Sequence, residues 1–278
     1  METADAPLRR DPSDAAAMAL EIRRTVLRQA WRAGVGHIGS ALSVADILAV
    51  LYSGTLRADS PRDPDRDRLV LGKGHAALAL YAALAASGRI DERELDGYCG
   101  DGTLFGTHPE RALPGVDFCT GSLGQGLSMA AGAALGARMA GSSRRAFALV
   151  SDAECNAGAV WEAAMFAAHR RLANLVAVID LNGQQALGLT RDVLSLDPMA
   201  ERWRAFGWDV HEVDGHDTAA LRRTIDGLDT REGPPHVLVA RTVLGRGVSF
   251  MEGLIKWHYW PLTDEQLAQA LAEVDGGT

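Results

Sequence analysis

Asp152 and Asn182 are residue types that bind a hard cation, and each follows an apolar run: Ala146-Phe147-Ala148-Leu149-Val150 before the first, Val178-Ile179-Asp180-Leu181 before the second. The order strand, acid, helix, strand, amide brings two neighbouring strand ends together. A carboxylate from Asp152, an amide oxygen from Asn182 and the backbone carbonyl of Gln184 then supply three protein oxygens. That set suits Mg²⁺, whose octahedron is completed by water and phosphate oxygens. Glu154 and Asp180 lie close by, but read more simply as a helix-start charge and a strand-edge charge.

A second chemical signal is the glycine-dense stretch Phe118-Cys119-Thr120-Gly121-Ser122-Leu123-Gly124-Gln125-Gly126-Leu127, which enters a small-residue helix over 128–139. Glycines let backbone approach a flat ligand, and a helix start offers unpaired N–H groups to anions. A helix this rich in small residues also suits tight packing on a neighbouring helix. Histidines form the third signal. His37, His75 and His108 lie in loops marked by glycine or proline, and His258 follows Lys256-Trp257. Each side chain could be a structural hydrogen-bonder; recurring before helices, they also suit neutral donors and proton carriers for phosphate and hydroxyl groups. His169, His211, His216 and His236 lack that setting and read as structural.

The elements that must position these residues alternate. Apolar positions at helical spacing, including Met18, Leu20, Ile22, Val26, Leu27 and Ala30, predict a helix over 15–33. Gly34 to Ser40 breaks it, and another helix is expected near 43–52. A Pro/Asp-rich surface loop is expected around 59–67. Short strands are expected at 68–71, 146–150, 174–181, 208–213 and 236–242, with helices ending near Ser87-Gly88 and spanning 158–171. Apolar runs separated by helices imply an α/β fold, a parallel sheet covered by helices on both faces. Ligands of such sheets gather at the carboxyl ends of the strands. Gly72 to His75, Asp152 and Asn182 all fall there.

Size and composition set outer bounds. With 278 residues, 47% apolar and 23% charged, the chain is expected to form one domain after a polar arm at about 1–14. A net charge of −8, with basic residues scattered or paired as in Arg9-Arg10-Asp11 and Arg62-Asp63-Pro64-Asp65-Arg66-Asp67, argues against nucleic acid. No secretory signal, membrane-length apolar run or paired cysteine spacing is evident, since Cys99, Cys119 and Cys155 are dispersed. Cytoplasmic localisation is the expectation.

Taken together, these segments resemble the thiamine diphosphate-binding half of transketolase, specifically the N-terminal subunit of split transketolases. The likeness runs through the Gly36-His37 loop, Gly72-Lys73-Gly74-His75, His108-Pro109-Glu110, Thr120 to Gly126, the Asp152 and Asn182 pair, Val160-Trp161-Glu162-Ala163-Ala164, and Gly245 to Glu252 with Lys256-Trp257-His258. The resemblance implies the thiamine diphosphate-binding fold, a three-layer α/β sandwich. It implies that Asp152, Asn182 and the Gln184 carbonyl hold the Mg²⁺ that anchors the diphosphate. His75 and His258 would lie by the diphosphate and the reacting carbon, and His37 and His108 would meet substrate hydroxyls. Gly121, Ser122, Leu123 and Ala153 would join the cofactor-binding residues, with Gly121 and Leu123 lining the pyrimidine.

The implied reaction moves a two-carbon ketol unit from a ketose donor to an aldehyde acceptor. The family's pyrimidine-activating Glu belongs to a following domain, so a separate C-terminal subunit is expected to supply it, in a heterotetramer. Departures from the family pattern are Ser151 and Ala153 in place of two glycines and Ala157 in place of a glutamate. They put ordinary pentose-phosphate activity in question. Two rival readings remain: thiamine-dependent acyl transfer from pyruvate, and a non-catalytic scaffold subunit.

Overall fold

The computed structural model describes residues 15–57 and 63–276; the polar arm at 1–14 and part of the expected surface loop lie outside those bounds. The first helix, α1 (Ala15–Ala33), forms as its spacing predicts, burying Met18, Ile22, Val26 and Ala30 on one stripe. It packs on α3 (Ala45–Val50), α4 (Ala77–Ala86) and the last helix, Asp264–Gly276. The helix expected near 43–52 forms as α3, which runs on into a wide helical turn over Leu51–Thr55 that Gly54 closes at φ 128. The stretch before it, read as a break, leads into an unexpected short helix, α2 (Ile38–Ser43), which the non-helical backbone of Val44 separates from α3.

Five parallel strands make the sheet: β1 (Arg68–Leu71), β2 (Ala146–Ser151), β3 (Leu175–Leu181), β6 (Asp209–Asp214) and β7 (His236–Arg241), in the order β1-β2-β3-β7-β6. Between β3 and β6 lies a small antiparallel hairpin, β4 (Gln184–Gln185) with β5 (Gly188–Leu189). Successive side chains in a strand point to opposite faces, and the two hydrophobic cores divide accordingly. Phe147, Leu149, Val176, Val178, Leu238 and Ala240 face the core built with α1 to α4. Ala148, Val150, Ala177, Ile179, Val237 and Val239 face the core built with α5 (Gly126–Met139), α6 (Gly158–His169) and α8 (Met199–Ala205). Each of the fully buried Val, Leu, Ile and Phe side chains among them contributes about 1.5–3 kcal/mol relative to exposure. This is the three-layer α/β arrangement the sequence implied.

Some expectations needed correction. The strand expected at 208–213 is not a doubly buried apolar run. As β6 it is the sheet edge, reads Asp-Val-His-Glu-Val-Asp, and has no buried residue. Asp67, expected on a surface loop, is 3% exposed and is held by Arg57 and Arg145. The helices α7 (Thr190–Val193), α8, α9 (Thr218–Asp226) and α10 (Asp264–Gly276) were not read from the sequence. Among the described residues no helix is long and apolar enough to cross a membrane.

Candidate active site

The carboxyl ends of β1, β2, β3 and β7 open onto a cavity of about 260 Å³. Strand β1 delivers Gly72-Lys73-Gly74-His75; β2 ends at Ser151 and hands over to Asp152; β3 ends at Leu181 and hands over to Asn182. Ser151 lies in register with Asp180, so Asp152 and Asn182 extend from adjacent strands. Asp152 is 3% exposed. One carboxylate oxygen accepts the Ala153 N–H at 2.8 Å and the other the Gly183 N–H at 2.8 Å. Gly183 sits at φ 74, a backbone state that costs a glycine nothing, and this lets the chain turn its N–H back onto β2.

Among the described residues Asp152 has no ion-pair partner of its own. Burial, and then the charge of Asp180, push its carboxyl up to about 7. A divalent cation at this point would remove that penalty, and the donor set is of the hard kind. Asn182 Oδ1 accepts one bond, from the Gln184 N–H at 2.9 Å, leaving a second lone pair. Asp152, Asn182 and the Gln184 carbonyl are therefore residues that could hold such an ion.

Asp180 does lie near the end of β3 and Glu154 does start a helical turn, as read from the sequence, but both are buried and bonded rather than simple surface charges. Asp180 is fully buried and forms the hub of the site. It pairs with Lys73 Nζ, accepts Ser43 Oγ at 2.8 Å and the Thr242 hydroxyl, and takes the Asn182 side-chain amide at 2.8 Å. With its N–H₂ group tied to Asp180, Asn182 must present its oxygen away from it. Lys73 is itself 1% exposed at its side chain. Glu154 is also fully buried. It opens a turn of 3-10 helix, accepts the Gly124 N–H at 3.0 Å, and is pushed up to about 7 by burial. Its Oε2 has no hydrogen-bond partner among the described residues.

Three of the four loop histidines converge. The rings of His37, His75 and His258 form a near-equilateral triangle with centroids 5.2, 5.3 and 5.4 Å apart. His75 Nε2 lies 2.9 Å from Ser40 Oγ, and the His37 N–H donates to the His258 carbonyl at 3.1 Å. Burial, with Lys73 and the other rings contributing, lowers His75 to about 2; burial and His37 lower His258 to about 4. Both rings are neutral at neutral pH. His37 is lowered too, by burial first. It occupies the left-handed region at φ 64, uncommon for a side chain with a Cβ, and its buried Nδ1 has no hydrogen-bond partner among the described residues. His108 also lines the cavity, with its ring beside Gly121 and its Nδ1 3.2 Å from Thr107 Oγ1.

Gly121, Leu123, Ala153, Asn182 and Gln184 also line the cavity. Asp152 lies just beneath its floor, and Ser122 is exposed outside the lining. The glycine loop is packed rather than merely permissive. A Cβ on Gly126 would stand 2.5 Å from Gly72 Cα, and one on Gly74 would stand 2.9 Å from Gly121 N. These contacts clamp the loop to the end of β1. Among the family departures, Ser151 accepts the Glu154 N–H at 3.0 Å, and Ala157 packs where a Cβ on Gly124 would come within 2.6 Å. The sequence reading missed Ser40, Lys73, Gln185, Ala186 and Leu244 as cavity residues. For Lys73 a signal existed: a lysine between glycines at the end of a buried strand must find a buried carboxylate.

Comparison with known proteins agrees with this geometry. Residues 15–274 match the family described as transketolase, thiamine diphosphate binding domain. The chain belongs to the transketolase family. It is 40% identical over 257 residues to a 6-deoxy-6-sulfo-D-fructose transketolase subunit from a Clostridium species, covering 91% of this chain and 94% of that protein. It is likewise 40% identical over 254 residues to one of the subunits of the apulose-4-phosphate transketolase from Phocaeicola vulgatus, covering 91% and 90%. Solved transketolases superpose well. That of Leishmania mexicana gives a TM-score of 0.85 at 29% identity over 94% of this chain, and that of Campylobacter jejuni 0.85 at 28% over 95%. The chain spans 41% and 42% of those two structures. It is a transketolase-like transferase with the α/β thiamine diphosphate-binding fold.

Proposed function

We propose that this chain is the N-terminal subunit of a two-chain transketolase of the cytoplasm. In this reading it binds thiamine diphosphate and Mg²⁺ and transfers a two-carbon ketol unit from a ketose to an aldehyde. The observation that carries the reading is the buried Asp152 carboxyl, without an ion-pair partner among the described residues, in the turn after β2 between the cavity residues Ser151 and Ala153, with neutral histidines in the same lining. Asp152, Asn182 and the Gln184 carbonyl would hold the Mg²⁺, and Gly121, Ser122, Leu123 and Ala153 would seat the cofactor. Bound there, thiamine diphosphate supplies a carbanion nucleophile and an electron sink.

The chain's own residues then bind, orient and move protons. A neutral ring can donate through one nitrogen and accept through the other. His75, bonded to Ser40, and His258 would bond phosphate oxygens and carry protons near the reacting carbon. His37, whose Nδ1 has no partner among the described residues, and His108 would take the donor's hydroxyls. Two hydroxyl-binding rings in the lining favour a ketose donor over pyruvate.

A separate C-terminal subunit would supply the pyrimidine-activating Glu, in a heterotetramer. Support comes from relatives that are named as subunits and are matched over 90–94% of their own length. Those names specify ketoses carrying a sulfo or a phosphate group, and a donor with an anionic substituent is proposed here too. Titration calorimetry with thiamine diphosphate, in the presence of the partner subunit, tests the reading. Binding should require Mg²⁺ and disappear in Asp152→Ala. Metal-independent binding would refute the metal assignment, and ketol transfer by the isolated chain would refute the two-chain arrangement. No binding under any condition would leave a scaffold as the better description.

A further inference from the structure

We propose that Asp209, His211 and His236 form a second, separate metal site that takes one divalent transition-metal ion of the zinc class. It lies at the amino ends of β6 and β7, the end of the sheet opposite the histidine cavity. Asp209 is in register with His236 across the β6/β7 pair. His211 follows Asp209 by two positions and so shares its face. The packing places His236 Nδ1 3.0 Å from Asp209 Oδ2 and His211 Nε2 3.0 Å from the same oxygen, and the three donor atoms all lie within 4.8 Å of one another. Among the described residues this is the one group of three His, Cys, Asp or Glu side chains so disposed.

Hydrogen-bond accounting at His236 gives the second, independent observation. His236 is 3% exposed, and its Nε2 lies 2.9 Å from the Asp229 carbonyl oxygen. A carbonyl only accepts, so Nε2 carries the hydrogen. In the neutral ring Nδ1 then points a lone pair at a carboxylate oxygen that also has only lone pairs to offer. Either a second ring proton or a metal ion must lie between them, and the nearby His211 nitrogen supplies a further ligand for the metal. A metal-bound histidine typically donates its other N–H to a backbone carbonyl or carboxylate, which fixes the tautomer and aims the lone pair at the ion. His236 and Asp229 have that relationship. His211 and Asp209 are half-exposed, so water can complete the coordination shell.

Two imidazole nitrogens and one carboxylate oxygen favour Zn²⁺ and its transition-metal neighbours over Mg²⁺, which prefers an all-oxygen octahedron. A tetrahedral zinc with ligands at about 2.0–2.2 Å would draw the donor atoms to about 3.3–3.5 Å apart, a small adjustment here. The ion would tie the exposed edge strand β6 to β7 without touching the transferase cavity.

The test uses the full chain, stripped with chelator and held in excess Mg²⁺ so that oxygen sites are filled. Zn²⁺ is titrated calorimetrically, and Co²⁺ is followed by its visible d–d absorption. One equivalent should bind, raise Tm, and give a nitrogen-ligated Co²⁺ spectrum. His211→Ala and Asp209→Asn, both at half-exposed side chains, should each weaken binding at least about tenfold, while Asp152→Asn leaves it unchanged. Failure to bind Zn²⁺, binding by both site variants as tight as the parent's, or loss of binding in Asp152→Asn would overturn the proposal. So would NMR evidence that His236 keeps both ring protons with stoichiometric Zn²⁺ present.

Discussion

Replacing Asp152 by Asn keeps the shape of the side chain and removes its charge, and the consequence should change sign with the state of the site. In the metal-free chain the carboxyl is pushed up to about 7 from an ordinary 3.8. Between those values the folded state holds a proton that the unfolded chain has released, so this group's contribution to stability falls as pH rises from about 4 to about 7. Above that window, at about 1.4 kcal/mol per pH unit, the buried charge costs about 4 kcal/mol. Asn offers one acceptor oxygen to two backbone amides, those of Ala153 and Gly183. The amide left over costs about 1–3 kcal/mol. The variant should therefore be more stable than the parent at pH 8 in EDTA by about 1–3 kcal/mol, or about 2 °C in Tm per kcal/mol for a chain of this size. At pH 5 most of the charge cost is gone, and the advantage should vanish or reverse. Added Mg²⁺ and thiamine diphosphate should stabilise the parent and not the variant. Scanning calorimetry at both pH values, with and without the ligands, reads all of this. A variant less stable than the parent at pH 8 in EDTA, or an offset that does not change with pH, would refute the reasoning.

Lys73→Met strands Asp180 as a buried charge, and breaking such a pair typically costs about 3–5 kcal/mol; urea unfolding checks it, and a loss under 1 kcal/mol would contradict the hub. Gly126→Ala puts a Cβ 2.5 Å from Gly72 Cα, so about 1–3 kcal/mol of stability should be lost with a matching fall in cofactor affinity, measured by melting and calorimetry. His258 should remain neutral until the pH falls to about 4, and its NMR ring-proton shift should stay flat from pH 8 to 6; titration near 6.5 would show that the cavity does not exclude water as described.

Much of the fold was legible because two periodicities were. The alternation in Phe147-Ala148-Leu149-Val150 sends successive residues to opposite cores, and the stripe from Met18 to Ala30 covers one of them. Residue types at strand ends likewise marked Asp152, Asn182 and His75. What stayed hidden depends on long-range partners. Asp180 looks like any polar residue near a strand end until Ser43, Lys73 and Thr242 arrive from 137, 107 and 62 residues away. Glu154 carries a helix-start signature, yet its burial depends on the 118–127 loop folding over it. Strand β6 was misjudged because its composition suits either an edge or a covered position; only the sheet order decides.

The most direct test of the account is a crystal structure of this chain with its partner subunit, thiamine diphosphate and Mn²⁺ in place of Mg²⁺, read by anomalous scattering. The account predicts one strong peak at the ends of β2 and β3, ligated by Asp152, by Asn182 and by the Gln184 carbonyl, with diphosphate oxygens completing the shell. A cofactor bound with its metal elsewhere, or a cavity that admits no diphosphate, would contradict it.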